Sequence, residues 1–326
     1  MLISLLLCFV GFVLLYLSAG WLVKGSSSLA RNIGLTPIVI GLTVVAFGTS
    51  APELVVSLIS SIEGKGMIAL GNVIGSNICN IGLVMGLSAV FQPIVCSNEV
   101  VKRDMPVMMG ISIVLLFLSY NSIIGRVEGA VLFGGVVAYT IINYRIAIKK
   151  TERKEGRAVT NYEKELDEIG YIDSRSKQIL LIIIGITGVA GGAHVVVESA
   201  VNIMTTLGVN EKFISLTLVA FGTSLPELTT SLVAAIKKEM DISIGNLIGS
   251  NVFNILSVLG ASSLVRPIIV PGGFFESGLI TDYLVMILIG FLPWFMMRKD
   301  NTMGRANGFT LLMCYTGYII YLIIKS

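Results

Sequence analysis

Two glutamates, Glu53 and Glu227, occupy matching positions in two apolar segments of the chain. The segments AFGTSAPE and AFGTSLPE end on these residues, which are 174 positions apart. Each glutamate lies past the middle of a stretch long enough to cross a bilayer. A charged side chain at the bilayer centre costs at least ~2.5–3.5 kcal/mol on insertion scales, and such residues usually serve function. The pair therefore predicts a polar site inside a membrane.

The residues around each glutamate supply further oxygen atoms. Pro52 and Pro226 remove an amide donor and clash with the carbonyl four residues back, so the carbonyls near Gly48 and Gly222 are released from the helix. Glycine makes this distortion easier. The neighbouring hydroxyls are those of Thr49, Ser50, Thr223 and Ser224. Carbonyl, hydroxyl and carboxylate oxygens are the ligands that calcium and sodium prefer over transition metals.

A second motif follows each glutamate. GNVIGSNICN (71–80) and GNLIGSNVFN (245–254) agree at 7 of 10 positions, and the first motif (41–53 and 215–227) agrees at 10 of 13. Both matches have the same offset. Helical spacing predicts a polar stripe in each copy, made of Asn72, Ser76 and Asn80 and of Asn246, Ser250 and Asn254.

Each of these features has a structural alternative. Serine, threonine and asparagine in membrane helices often only join neighbouring helices by hydrogen bonds. A proline kink can be architectural, and a buried glutamate can be a protonated hydrogen bonder. The joint duplication of carboxylate, proline and hydroxyls at one offset favours a function.

The elements that must position these residues are long apolar helices. The chain has 326 residues, of which 54% are hydrophobic and 13% charged, whereas soluble domains have about 25% charged residues. About 20 apolar residues suffice to span a bilayer. Ten segments qualify: 2–23, 37–61, 67–90, 105–121, 128–144, 179–205, 213–236, 242–264, 282–297 and 308–324. The sequence predicts an all-α polytopic membrane protein.

The charges predict its orientation. With ten spans and the amino terminus outside, 18 of the 23 Lys and Arg residues lie in inside loops and 5 outside. The positive-inside rule then places both termini outside. We expect a multi-pass protein of the cell membrane, and the basic excess reports topology rather than a nucleic-acid partner.

Two halves flank one polar segment. Residues 1–144 form the first five-helix repeat, with its motif at 41–88, and residues 179–326 form the second, with its motif at 215–262. Residues 145–178 are expected to be a cytoplasmic linker. Because each repeat has an odd number of spans, the halves must be inverted. Inverted repeats with interrupted helices at the midplane are typical of secondary transporters.

The two motifs closely resemble the α-1 and α-2 repeats of the cation/calcium exchanger superfamily, specifically its sodium/calcium exchanger branch with a short central loop. The resemblance implies two inverted five-helix halves, with ion sites between the second, third, seventh and eighth helices. By position, Glu53 and Glu227 would bind calcium with help from Thr49 and Thr223. The sodium sites would be lined by the carbonyls of Ala46 and Ala220, the hydroxyls of Ser50, Ser224, Ser76 and Ser250, and Asn80. Asn254, where some relatives have aspartate, resembles the potassium-independent exchangers.

We therefore expect a secondary antiporter that exchanges sodium for calcium by alternating access. A proton/calcium antiporter of the same fold is the alternative, and a cation channel is a further one. The sequence has no phosphate-binding loop, no nucleophile–base set and no histidine cluster for a metal, so we expect neither an enzyme nor a cofactor beyond the transported ions. A single copy of the chain is expected to suffice for transport.

Overall fold

A computed structural model describes residues 1–154, 172–208, 220–275 and 277–325. Half of the predicted linker, 155–171, and the beginning of the seventh predicted span, 213–219, lie outside these ranges. The described helices are α1 (Leu2–Asn32), α2 (Pro37–Thr49), α3 (Ala51–Ile62), α4 (Gly66–Phe91), α5 (Met105–Leu118), α6 (Arg126–Lys154), α7 (Arg175–Thr206), α8 (Ala220–Thr223), α9 (Leu225–Ile236), α10 (Met240–Val265), α11 (Leu279–Met297) and α12 (Arg305–Lys325).

The fold is that of an integral membrane protein. Seven described helices are long and apolar enough to cross a membrane, and an eighth span results if α2 and α3 are counted together. Helices α5 and α9, with 14 and 12 residues, are shorter. All ten predicted spans contain described helix, whereas the count of ten crossings stays a prediction.

The second predicted span is not one continuous helix. Helices α2 and α3 meet at Ser50 with a bend of 45°. Pro52 lies in the first turn of α3, where its missing N–H needs no helical partner. Helices α8 and α9 meet in the same way at Ser224, with Pro226 in the first turn of α9. Each proline therefore begins a new helix rather than only distorting an existing one.

Helices α4 and α10 form the centre of the molecule. The most apolar window of α10 is 100% buried and that of α4 is 78% buried, whereas the windows of the outer helices α1, α6, α7, α11 and α12 are 17–33% buried. The outer helices expose large apolar side chains such as Leu288 and Met313, as lipid-facing surfaces do. The second motif in each half therefore lies on a central helix.

Each central helix contains a wide π-helical turn. These turns span Asn80–Met85 in α4 and Asn254–Leu259 in α10. Such insertions are rare and occur frequently at functional sites. Both turns begin at the last asparagine of the second motif.

Helix α2 packs closely against α10 through two glycines. A Cβ atom at Gly245 would lie 2.7 Å from the carbonyl oxygen of Ile38 and 2.9 Å from the amide nitrogen of Leu42. On the other side of the contact, a Cβ atom at Gly41 would lie 3.0 Å from the carbonyl oxygen of Ile242. The main chains of the two halves thus touch beside the site, which only glycine permits.

Four short strands join the loops between helices. Strand β1 (Ile94–Val95) pairs antiparallel with β4 (Thr302–Met303), with Ile94 opposite Met303. Strand β2 (Ile123–Ile124) pairs antiparallel with β3 (Ile268–Ile269), with Ile123 opposite Ile269. Both pairs connect the first half of the chain to the second.

Candidate ion-binding site

The two glutamates lie at the beginnings of two half-helices. Glu53 is in the first turn of α3 and Glu227 is in the first turn of α9, and both side chains are 0% exposed. Free N–H groups and the helix dipole favour negative charge at a helix N-terminus. The broken helices thus provide a favourable setting for two carboxylates deep in the protein.

Each carboxylate is only partly hydrogen-bonded. Ser50 Oγ donates to Glu227 Oε1 at 3.0 Å, and Ser76 Oγ donates to Glu53 Oε1 at 3.5 Å. Oε2 of both glutamates is buried and has no hydrogen-bond partner in the part of the chain that the structure describes. None of the ion pairs between described residues involves either glutamate. The site therefore presents acceptor oxygens without a compensating positive side chain, which suits a bound cation.

The polar residues of one half contact those of the other in matching pairs. Thr49 Oγ1 donates to Asn246 Oδ1 at 2.9 Å, and Thr223 Oγ1 donates to Asn72 Oδ1 at 3.3 Å. Thr49 Oγ1 also lies 3.3 Å from Ser250 Oγ. The second-motif helix of each half therefore contacts the first-motif helix of the other half.

The same asparagines also bind within their own halves. Asn72 Nδ2 donates to Ser57 Oγ and Asn246 Nδ2 donates to Ser231 Oγ, both at 3.0 Å. Asn72 Nδ2 lies 3.3 Å from the carbonyl oxygen of Glu53 as well. Each asparagine thus fixes the distance between a broken helix and the central helix that follows it.

Four asparagines meet between α4 and α10. Asn80 Nδ2 donates to Asn251 Oδ1 at 3.3 Å, and Asn254 Nδ2 donates to Asn77 Oδ1 at 3.1 Å. Oδ1 of Asn80 and Oδ1 of Asn254 are buried without a hydrogen-bond partner among the described residues. Two further acceptor oxygens are thus available at the centre of the molecule.

Of the predicted site residues, Ser50 contacts Glu227, Ser76 contacts Glu53 and Ser250 contacts Thr49. The carbonyl oxygen of Ala46 accepts Ser50 N–H at 3.0 Å and lies 3.3 Å from Thr49 Oγ1. Because the single hydroxyl proton of Thr49 is donated to Asn246 Oδ1 over the shorter distance of 2.9 Å, one lone pair of the Ala46 carbonyl stays available. Ala220 begins α8, and its side chain lies outside the described residues. Ser224 is buried, as is Thr223.

Two residues of the asparagine cluster between α4 and α10 were not predicted from the sequence. Asn77 and Asn251 were not selected as site residues, although they bind Asn254 and Asn80. The signal was present in the sequence, because both residues recur identically in the GSN of the two second motifs.

Comparison with known proteins agrees with this geometry. The family described as "Sodium/calcium exchanger protein" matches residues 3–145 and 177–324. The chain belongs to the sodium/calcium exchanger family. The resemblance seen in the two motifs is thereby confirmed, and the family is one of membrane transporters rather than enzymes.

Relatives cover the whole length of the chain. A sodium/calcium exchanger of Methanosarcina acetivorans, MaX1, is 30% identical over 98% of this chain and 98% of its own length. The inner membrane protein YrbG of Escherichia coli is 33% identical over 99% and 96%. Solved structures of the sodium-calcium exchanger NCX_Mj share the fold, with a TM-score of 0.82 and 31% identity over 98% of both chains.

Proposed function

We propose that this member of the family is a secondary antiporter that exchanges sodium for calcium by alternating access. The observation that carries the proposal is the pair of buried carboxylates, each with an unpartnered Oε2 and no cationic side chain bound to it among the described residues. Two carboxylates can neutralise one calcium ion. The same groups can instead be shared among sodium ions, so calcium and sodium compete for binding.

The proposed ligand set extends beyond the glutamates. Calcium takes 6–8 oxygen ligands, and the cluster offers more oxygens than one calcium needs. We assign calcium to Glu53 and Glu227 with Thr49 and Thr223. Sodium is assigned to the carbonyls of Ala46 and Ala220 and to Ser50, Ser224, Ser76, Ser250, Asn80 and Asn254.

We also propose ten crossings in two inverted repeats, with both termini outside the cell. Strands β1 and β4 follow the third and ninth predicted spans, which end on the same side, and they pair. Strands β2 and β3 follow the fourth and eighth spans, which end on the opposite side, and they pair as well. Both pairings support an even number of membrane crossings between the two strands of each pair.

Polar contacts between loops support the same arrangement. Arg31, after the first predicted span, pairs with Glu239, after the seventh, at 2.9 Å. Arg266, after the eighth span, donates to the carbonyl oxygen of Ile62, at the end of the second, at 3.1 Å. The first contact joins two loops that each follow an odd-numbered span, and the second joins two segments that each follow an even-numbered span. Each contact is therefore between segments on the same side of the membrane in the proposed topology.

The proposed function is tested by competition at one face of the membrane. Purified protein is reconstituted into sodium-loaded vesicles, and uptake of radioactive calcium is measured while external sodium is raised. We expect external sodium to inhibit uptake in a manner that high calcium overcomes. Uptake that is independent of external sodium contradicts the shared-carboxylate mechanism.

A further inference from the structure

The asparagine pairs between α4 and α10 fix the orientation of two side-chain amides. We propose that Asn77 and Asn251 are positioning residues, which turn the side-chain oxygens of Asn254 and Asn80 toward transported sodium. This inference rests on the proposed function, because it concerns the affinity of the same site. Asn77 and Asn251 themselves donate to other groups and are not ligands in this scheme.

The orientation of Asn77 is set by groups that can only accept. Its Nδ2 lies 3.3 Å from the carbonyl oxygen of Asn251 and 3.9 Å from Met286 Sδ. A carbonyl oxygen and a thioether sulfur have no proton to donate. The amide nitrogen of Asn77 must therefore face them, and Oδ1 faces Asn254.

The same reasoning holds on the other side of the contact. Asn251 Nδ2 lies 3.5 Å from Met108 Sδ, so Asn251 Oδ1 faces Asn80. The four amides and two methionines thus form two equivalent series of contacts. In each series a sulfur atom on α5 or α11 orients one asparagine, and that asparagine orients the next. The two methionines are buried, with exposures of 3% and 4%.

The last amide in each series is oriented by the asparagine before it. Asn80 and Asn254 must present Nδ2 to the oxygen of the positioning residue. Their Oδ1 atoms then point elsewhere, and both are buried without a partner among the residues described. The reversed amide would present N–H groups, which repel a cation.

The positions of Asn80 and Asn254 along their helices connect them to the proposed site. Asn80 lies one helical turn after Ser76, and Ser76 Oγ contacts Glu53. Asn254 lies one turn after Ser250, which contacts Thr49. Each of the two asparagines therefore follows, by one turn, a serine that contacts a proposed calcium ligand, Glu53 or Thr49. We infer that correct amide orientation contributes to sodium affinity.

A double-mutant cycle on Asn251 and Asn80 tests this role. Purified protein in detergent is equilibrated with radioactive calcium, and the sodium concentration that displaces half of it is measured. Asn251→Ala should raise that concentration about 2- to 10-fold, the value of one net hydrogen bond. In the Asn80→Asp background the same substitution should raise it less than about twofold, because the two oxygens of a carboxylate are equivalent acceptors and need no orientation.

A merely structural role of Asn251 gives a different result. It would produce the same fold-change in both backgrounds, since independent effects add, and that outcome overturns the inference. An unchanged half-displacing sodium concentration in Asn251→Ala overturns it as well. Sodium-driven calcium uptake by the unmodified protein in vesicles tests the proposed function separately, so a failure of either is recognised on its own.

A milder variant keeps the test valid if Asn251→Ala does not fold. Met108→Leu conserves volume but removes the sulfur that accepts from Asn251. It should raise the half-displacing sodium concentration in the same direction and by a smaller factor. Met109→Leu is the matched control, because Met109 is buried on the same helix and makes no hydrogen bond to the four amides in the described part of the chain. Equal behaviour of the two methionine variants counts against the inference.

Discussion

Ser50 and Glu227 are joined by a hydrogen bond of 3.0 Å between Oγ and Oε1, and this bond links the two halves of the chain. The equivalent serine, Ser224, has an Oγ atom without a hydrogen-bond partner among the described residues. Glu53 instead accepts from Ser76 of its own half, at 3.5 Å. The two carboxylates are therefore equivalent in position along the chain but differ in their contacts.

We predict that Glu53→Gln and Glu227→Gln each nearly abolish calcium transport while the protein still folds. Either change halves the negative charge that compensates calcium, and it removes rather than adds a buried charge. Calcium uptake by the purified variants in vesicles measures the loss, and size-exclusion chromatography reports folding. Glu63→Gln is the control, because Glu63 is half-exposed and forms an ion pair with Lys65. Near-normal uptake by either site variant would contradict the assignment of the carboxylates.

The contact between α2 and α10 predicts a steric effect. Gly245→Ala places a Cβ atom 2.7 Å from a main-chain oxygen, so the helices must separate beside the site. We expect a lower thermal midpoint and reduced calcium affinity. Gly134→Ala on α6 is the matched control, since no described atom outside its own helix lies within 4 Å of the added Cβ atom, and alanine favours a helix by about 1 kcal/mol over glycine. A Gly245→Ala protein as stable as the control would show that the close approach is not required.

The orientation in the membrane is predicted by the distribution of basic residues. A cysteine at Lys65 should react with a membrane-impermeant reagent added outside intact cells, and a cysteine at Lys177 should react only after the membrane is opened. Both side chains are exposed, so differences in labelling report sidedness. Labelling of Lys65→Cys from the inside alone would overturn the topology.

Potassium should not be required. Asn254 is a neutral side chain, buried and bonded to Asn77, and it adds no negative charge for a further cation. Sodium-driven calcium uptake should therefore proceed in vesicles that contain no potassium, with Asn254→Asp as the variant that adds a charge. An absolute requirement of the unmodified protein for potassium would exclude this role of Asn254.

The sequence predicted the elements and motifs of the site because these depend on local chemistry. Apolar length indicated the spans, and the duplicated glutamates with their prolines indicated both the family and a distortion of each helix. The second span was nevertheless expected to continue through Ser50. Proline at position 52 can either kink a helix or begin one, and the bend of 45° between α2 and α3 depends on packing against other helices.

The cross-pairing of the asparagines could not be derived from spacing. Helical periodicity places Asn72, Ser76 and Asn80 on one face, and that prediction selected the stripe. Asn77 lies off this stripe, and its contact with Asn254 depends on how α4 crosses α10. Such contacts between distant segments are set by tertiary packing, which the residue pattern of one helix does not predict.

The most direct test compares sodium and proton gradients as driving forces for calcium uptake. The purified protein is reconstituted into vesicles, and radioactive calcium uptake is measured with an outward sodium gradient at equal pH, and then with an acidic interior in the absence of sodium. If sodium and calcium share one site, the sodium gradient should drive strong calcium uptake, and a sodium ionophore that dissipates the gradient should abolish this uptake. The pH gradient should drive little calcium uptake. Uptake driven by the pH gradient and indifferent to sodium would contradict sodium/calcium exchange and identify a proton/calcium antiporter instead.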